Sequence, residues 1–290
     1  MKQLHPNIAR IKKIHLLPNI ITAFGLSCGL FVIFKMNMLS AGEVDYHVLN
    51  ATAGILILGM FADLLDGAVA RAIKAESEFG GFFDSMADAI TFGVAPSVII
   101  LKSLSIAPGT EMSFLMTTGA MIFSVCGVLR LVRFNVLSMH SKNDIELLDA
   151  QKKNFTGLPI PAAAAAVVSA NLLFVSEEFR YFFTISENTR AISLLFIQVL
   201  IGYFMISRWK FPSLKTLHIR VGSFQTVFLT VLAAVFIFYG LLHHFAVVLF
   251  SFSWLYVAVA WVLSLIRLIS GRKSKTLEDF EPEPDDLDHE

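Results

Sequence analysis

The sequence is short of charge. Asp, Glu, Lys and Arg make up 16% of its 290 residues, against about a quarter in a soluble domain. With 56% hydrophobic residues and a mean hydropathy of +0.68, its apolar surface exceeds what one aqueous core could bury, so the bilayer must solvate much of it. Cysteine is nearly absent. Cys28 and Cys126 sit inside apolar runs with no partner spacing, which argues for packing rather than a disulfide or a thiolate metal site. No cleavable leader is apparent, because the first apolar run lacks a small-residue cleavage site and many more runs follow it. Internal repeats and a separate soluble domain are lacking too, and no nucleic-acid partner is expected.

What the chain does have is long apolar runs, each near the ~20 residues that cross a bilayer. They fall at roughly 18–37, 48–70, 84–102, 113–133, 159–176, 190–207, 223–241 and 245–266. Eight spans sort the 23 Lys and Arg strongly. Nineteen fall on one side: four before the first span, two around Arg71 and Lys74, five from Arg130 to Lys153, four from Arg208 to Arg220, and four from Arg267 to Lys275. Lys35, Lys102, Arg180 and Arg190 fall on the other. The positive-inside rule then places both termini in the cytoplasm. The expected fold is an all-α integral membrane protein of about eight transmembrane helices. Residues 5–16 alternate basic and apolar character and suit either a surface helix or an unstructured leader. Residues 278–290 are acidic, contain proline and are expected to stay disordered.

Four carboxylates interrupt this apolar background: Asp63, Asp66, Asp84 and Asp88. Each costs about 2.5–3.5 kcal/mol at the centre of a spanning helix on insertion scales. The spacings of three and four put each pair on one helical face. Gly80 and Gly81 are expected to tighten the turn that brings the two faces together. One such Asp could be a cap or an arginine partner, but four near one interface call for a compensating cation. Oxygen donors suit Mg²⁺ or Mn²⁺, and two ions can clamp a pyrophosphate. Gly67 leaves room for a ligand near the backbone, and Arg71 offers a fork of donors to phosphate.

The pattern D-x2-D-G-x2-A-R-x8-G-x3-D-x3-D is filled by Asp63, Asp66, Gly67, Ala70, Arg71, Gly80, Asp84 and Asp88, eight fixed positions in 26 residues. It resembles the signature of the CDP-alcohol phosphotransferases. The resemblance implies a bundle of that family's kind, with Asp63, Asp66 and Asp84 holding two metal ions. Asp88 would serve as both second-metal ligand and catalytic base. It also implies that Gly67, Arg71 and Ser77 line the CDP site, with Asn19 and Thr22 in Pro18–Thr22 adding contacts. Pro18 is equally explained as a helix start. The segments 83–96, 129–136 and 155–161 resemble membrane-type phosphatidylserine synthases. That likeness implies CDP-diacylglycerol and L-serine as substrates, a homodimer, and a multi-pass protein of the inner membrane whose active site faces the cytoplasm.

Arg130 and Arg133, three apart at the cytoplasmic end of the fourth span, suit the carboxylate of an amino-acid acceptor or a donor phosphate. They equally suit topology-setting charges among lipid headgroups. Asn135 is a further candidate acceptor contact. Residues 157–161 force a kinked approach to the fifth span, and Ala162–Ala166 permits close helix packing. Four segments are expected: an interfacial 1–17, a family core at 18–207, two added spans at 208–270 and the tail at 271–290. Glycerol-3-phosphate, inositol phosphate and choline remain open as acceptors. A cation-coupled transporter would instead scatter its carboxylates in depth across symmetrical halves.

Overall fold

The structure, a computed structural model, describes residues 6–40, 43–75, 77–141, 154–207, 210–212, 239–240 and 242–269. It is a helical bundle: α1 Pro6–Asn37, α2 Tyr46–Ala72, α3 Glu78–Asp88, a π-helical segment Ala89–Val94, α4 Ala95–Ser103, α5 Glu111–Ser141, α6 Ile160–Val175, α7 Glu177–Phe182, α8 Glu187–Ile206 and α9 Phe245–Ile269. Two three-residue strands, β1 Asn154–Thr156 and β2 Lys210–Pro212, pair antiparallel. Among the described residues, six helices are long and apolar enough to cross a membrane. They match the expected first, second, third, fourth, sixth and eighth spans. The expected seventh, 223–241, lies outside the described residues but for 239 and 240, and the acidic tail lies outside them entirely.

Three expectations change. Residues 6–17 form no separate surface helix; they continue without a break through Pro18 into the first span. The fifth span is the 16-residue α6, shorter than a crossing helix needs. It sits at the centre of the bundle, with Ile160, Ala163, Ala164, Ala166 and Ala170 fully buried. Its alanines let α2, α4, α8 and α9 approach closely. Gly80 and Gly81 do not make the turn between α2 and α3. Both lie in the first turn of α3, and the reversal begins just after α2, where Lys74 takes a left-handed φ of 51°.

The third span is one helix with a widened middle. Pro96 has no N–H to offer the carbonyl of Phe92, and just before it the register slips so that Ala95 N–H donates to Ile90 O. This π segment pushes Thr91 into α1. A Cβ on Gly29 would lie 2.7 Å from Thr91 Cα, and one on Gly59 of α2 would lie 3.3 Å from Thr91 Cγ2. Thr91 Oγ1 donates to the carbonyl of Gly25 at 3.4 Å. Glycines on α1 and α2 thus admit the π segment between them, a small-residue contact that lets backbones meet.

At the other end of the bundle, buried Arg190 of α8 donates to Asn171 Oδ1 on α6 at 3.0 Å and to the Ser103 carbonyl ending α4 at 3.1 Å. α9 is fixed by Ser253 Oγ at 2.8 Å from Ser169 Oγ and by Trp254 Nε1 donating to Ala166 O at 3.1 Å. Gly29→Ala should destabilise the protein by about 1–3 kcal/mol through overpacking. Gly54→Ala, where an added Cβ meets nothing within 4 Å, should instead stabilise by about 0.4–1 kcal/mol through helix propensity. Unfolding of both variants in mixed detergent micelles checks the contrast.

Candidate active site

Four helices come together at one end of the bundle: α1 at residues 18–22, α2 in its last turns at 63–71, α3 with its cap at 77–88, and α5 at 130–135. α3 begins there because Ser77 caps it, its Oγ accepting from Gly80 N–H at 3.0 Å. α1 crosses close by, so a Cβ on Gly80 would lie 3.2 Å from Asn19 Oδ1. Glycine at 80 leaves room for both the Ser77 cap hydroxyl and the Asn19 amide.

The carboxylates of Asp63, Asp66 and Asp84 bring one oxygen each to within 4.8 Å of one another. Two unit charges at that distance repel by about 3 kcal/mol at an effective dielectric of 20. Three such anions in a bundle end, with all-oxygen donors, fit a hard divalent cation. Asp66 is buried and accepts from Thr22 Oγ1 at 2.6 Å. The same hydroxyl lies 3.1 Å from the Pro18 carbonyl, but it has one proton, and the shorter, charge-assisted bond to Asp66 takes it. Thr22 therefore fixes the orientation of one carboxylate of the group. Asp88, expected alongside the other three, stands apart from this close trio. It lines the same narrow inner cleft together with Asp63, Asp66, Asp84 and Thr91. As the last residue of α3, it sits where the α-helix passes into the π segment, a device that recurs at functional sites.

A wider outer cleft of about 180 Å³ adjoins this one, sharing Thr22, Asp66 and Asp84. All five expected nucleotide-site residues, Asn19, Thr22, Gly67, Arg71 and Ser77, line it. Gly67 serves the site in an unexpected way: a Cβ there would lie 3.3 Å from Arg71 Nη1. The missing side chain lets the guanidinium fold back over α2 beside the carboxylates.

The α5 residues are placed differently, and the linings of the two clefts do not include Arg130, Arg133 or Asn135. Arg130 lies within electrostatic reach of Asp88 and Asp63, and its Nε is buried without a hydrogen-bond partner. Arg133 Nη1 donates to Ile206 O at 3.1 Å, which puts a cation on the carbonyl end of α8. Asn135 Nδ2 lies 3.0 Å from Ser85 Oγ on α3. The carbonyl end of α8 has further partners. Leu158 N–H donates to Phe204 O at 3.0 Å, and Gly157, at φ +80°, leaves no space for a Cβ beside the Met205 carbonyl.

Sequence reasoning missed two features here. The π segment had a signal in the proline of an apolar span. Tyr256, on the inward face of α9 and within electrostatic reach of Arg130, had none, since nothing marks one tyrosine in a generic span.

A family model described as CDP-alcohol phosphatidyltransferase matches residues 15–279. A CDP-diacylglycerol–serine O-phosphatidyltransferase of Helicobacter pylori is 31% identical over 269 residues, covering 90% of this chain and 98% of the relative. One of Bacillus subtilis is 31% identical over 199 residues, covering 69% and 91%. An archaetidylserine synthase of Methanothermobacter thermautotrophicus is 34% identical over 167 residues, covering 57% and 59%.

With Mn²⁺ as the probe, Asp84→Asn should abolish high-affinity binding. Thr22→Val, which removes the proton held by Asp66 while keeping the side-chain volume, should weaken it about 10–100-fold. Titration followed by electron paramagnetic resonance measures both.

Proposed function

We infer, for a chain that belongs to the CDP-alcohol phosphatidyltransferase family, that it transfers the phosphatidyl group of CDP-diacylglycerol to L-serine, giving phosphatidylserine and CMP. The observation that carries the class of chemistry is the trio Asp63, Asp66 and Asp84 opening onto a cleft lined by Arg71, Asn19 and Ser77. Support for serine comes from the relatives named for it, one of them matched over nearly its whole length.

In this reading the outer cleft takes the nucleotide and its pyrophosphate. Arg71 donates to phosphate oxygens, Gly67 gives that guanidinium its place, and Asn19 and Ser77 bound the pocket. The trio, joined by Asp88, would hold two divalent cations, Mg²⁺ or Mn²⁺, which when bound neutralise the pyrophosphate and the charge that develops on the leaving oxygen. Asp88 takes the proton from the serine hydroxyl. That oxygen forms a bond to the phosphorus bearing the diacylglycerol, the bond from this phosphorus to the CMP oxygen breaks, and CMP leaves. Thr22 keeps Asp66 aimed. Arg130, within electrostatic reach of Asp88 and Asp63, is the cation assigned to the acceptor carboxylate.

The positive-inside bias supports placing this end of the bundle at the cytoplasmic face of the inner membrane. The reading also takes the protein to be a homodimer, with 18–207 as its core and two further spans between 208 and 270.

Transfer is tested on purified protein with CDP-diacylglycerol, Mn²⁺ or Mg²⁺, and a panel of serine, glycerol-3-phosphate, inositol phosphate and choline. CMP release is expected with serine alone. Asp88→Asn should lower kcat about 10²–10⁴-fold while Mn²⁺ still binds. Release with another acceptor alone would keep the class and overturn the choice of serine.

A further inference from the structure

α3 carries two of the four carboxylates yet is only 11 residues long. Its backbone packs on α1 and on the π segment that follows it, leaving the side toward α5 to be held by side chains. Ser85, beside Asp84 and three residues before Asp88, faces Asn135 of α5. Asn135 Nδ2 lies 3.0 Å and Oδ1 3.1 Å from Ser85 Oγ, and Ser85 Oγ lies 3.0 Å from the Gly81 carbonyl.

Counting protons selects one arrangement. The serine hydroxyl has a single proton and the amide two. Asn135 Nδ2 donates to Ser85 Oγ, and Ser85 passes its own proton to Gly81 O, so each donor has its own acceptor. The amide of Asn135 is thereby committed to α3, five residues along α5 from Arg130. One hydrogen-bonded pair sets the distance between the helix that bears Asp84 and Asp88 and the helix that bears the facing cation.

We propose that Ser85 and Asn135 form an interhelical latch that holds α3 against α5, and that Asn135 is a positioning residue for the carboxylates rather than a contact to the acceptor alcohol. The proposal rests on the transferase reading for its kinetic consequences but not for its effect on cation binding. A latch predicts that Ser85→Ala and Asn135→Ala act alike, although the two residues sit on different helices.

The experiment is a double-mutant cycle on the full-length protein, with Ser85→Thr as the variant that keeps the hydroxyl. Each alanine variant should lower kcat about 10-fold, with the KM for serine within about twofold of wild type. Each should weaken Mn²⁺ binding without substrate, read by electron paramagnetic resonance, and the double variant should be no worse than the poorer single one. Ser85→Thr should retain both properties. A raised KM for serine in Asn135→Ala, with Ser85→Ala like wild type, would make Asn135 an acceptor contact and overturn the latch. Additive losses would overturn it as well. If the wild type bound Mn²⁺ but released no CMP with serine, the acceptor assignment would fail, and the Mn²⁺ cycle alone would decide the latch: non-additive upholds it, additive overturns it.

Discussion

Everything at the working end of this molecule depends on holding like charges together in a poor dielectric. Three carboxylates with oxygens within 4.8 Å of one another push their helices apart, and Arg71, Arg130 and Thr22 offset that repulsion only in part. The remaining opposition comes from just below. Gly25 and Gly29 of α1 and Gly59 of α2 close around Thr91 with almost no side-chain volume between backbones. The dispersion contacts of that clasp keep α1, α2 and the π segment in fixed register, so the aspartates one to two turns above cannot spread. Thr22 and Arg71 then work at finer scale, aiming one carboxylate and placing one cation.

The same end is braced on its far side. The last carbonyls of α8 find donors in Leu158 N–H and the Arg133 guanidinium, groups from the segment before α6 and from α5. Gly157 at positive φ makes the close approach possible. α5 is tied in this way to α8 as well as to α3, and Arg130 rides on a helix held from two directions.

The arrangement was legible in the sequence where composition and spacing carry physical meaning. Long apolar runs gave the spans within a few residues at most ends, because burial in lipid tolerates little else. The four aspartates stood out because their cost in a spanning helix demands a reason, and Asn19, Thr22, Gly67, Arg71 and Ser77 all line one cleft as the family resemblance implied. What spacing could not supply was partnership across helices. Arg133, a candidate for the acceptor carboxylate, a donor phosphate or a topology-setting charge, donates to the carbonyl end of α8. Gly80, expected to tighten a turn, lies in the first turn of α3. Asn135, a candidate acceptor contact, bonds to Ser85. In each case the residue type was informative and its neighbour was not, since that neighbour lies tens of residues away in the chain.

The short central helix has a consequence for how the protein is made. α6 is about 24 Å long at 1.5 Å per residue, less than the ~30 Å hydrocarbon layer, and in the finished bundle its neighbours cover its central positions. During synthesis it leaves the ribosome before α8 and α9 exist to cover it. Until they arrive, an alanine-rich segment too short for the bilayer faces lipid that must thin around it. Biogenesis therefore runs through a stage at which the future centre of the molecule is its least settled part. Late docking of α8 and α9, through Arg190 and Trp254, converts a poorly anchored helix into the axis of the bundle.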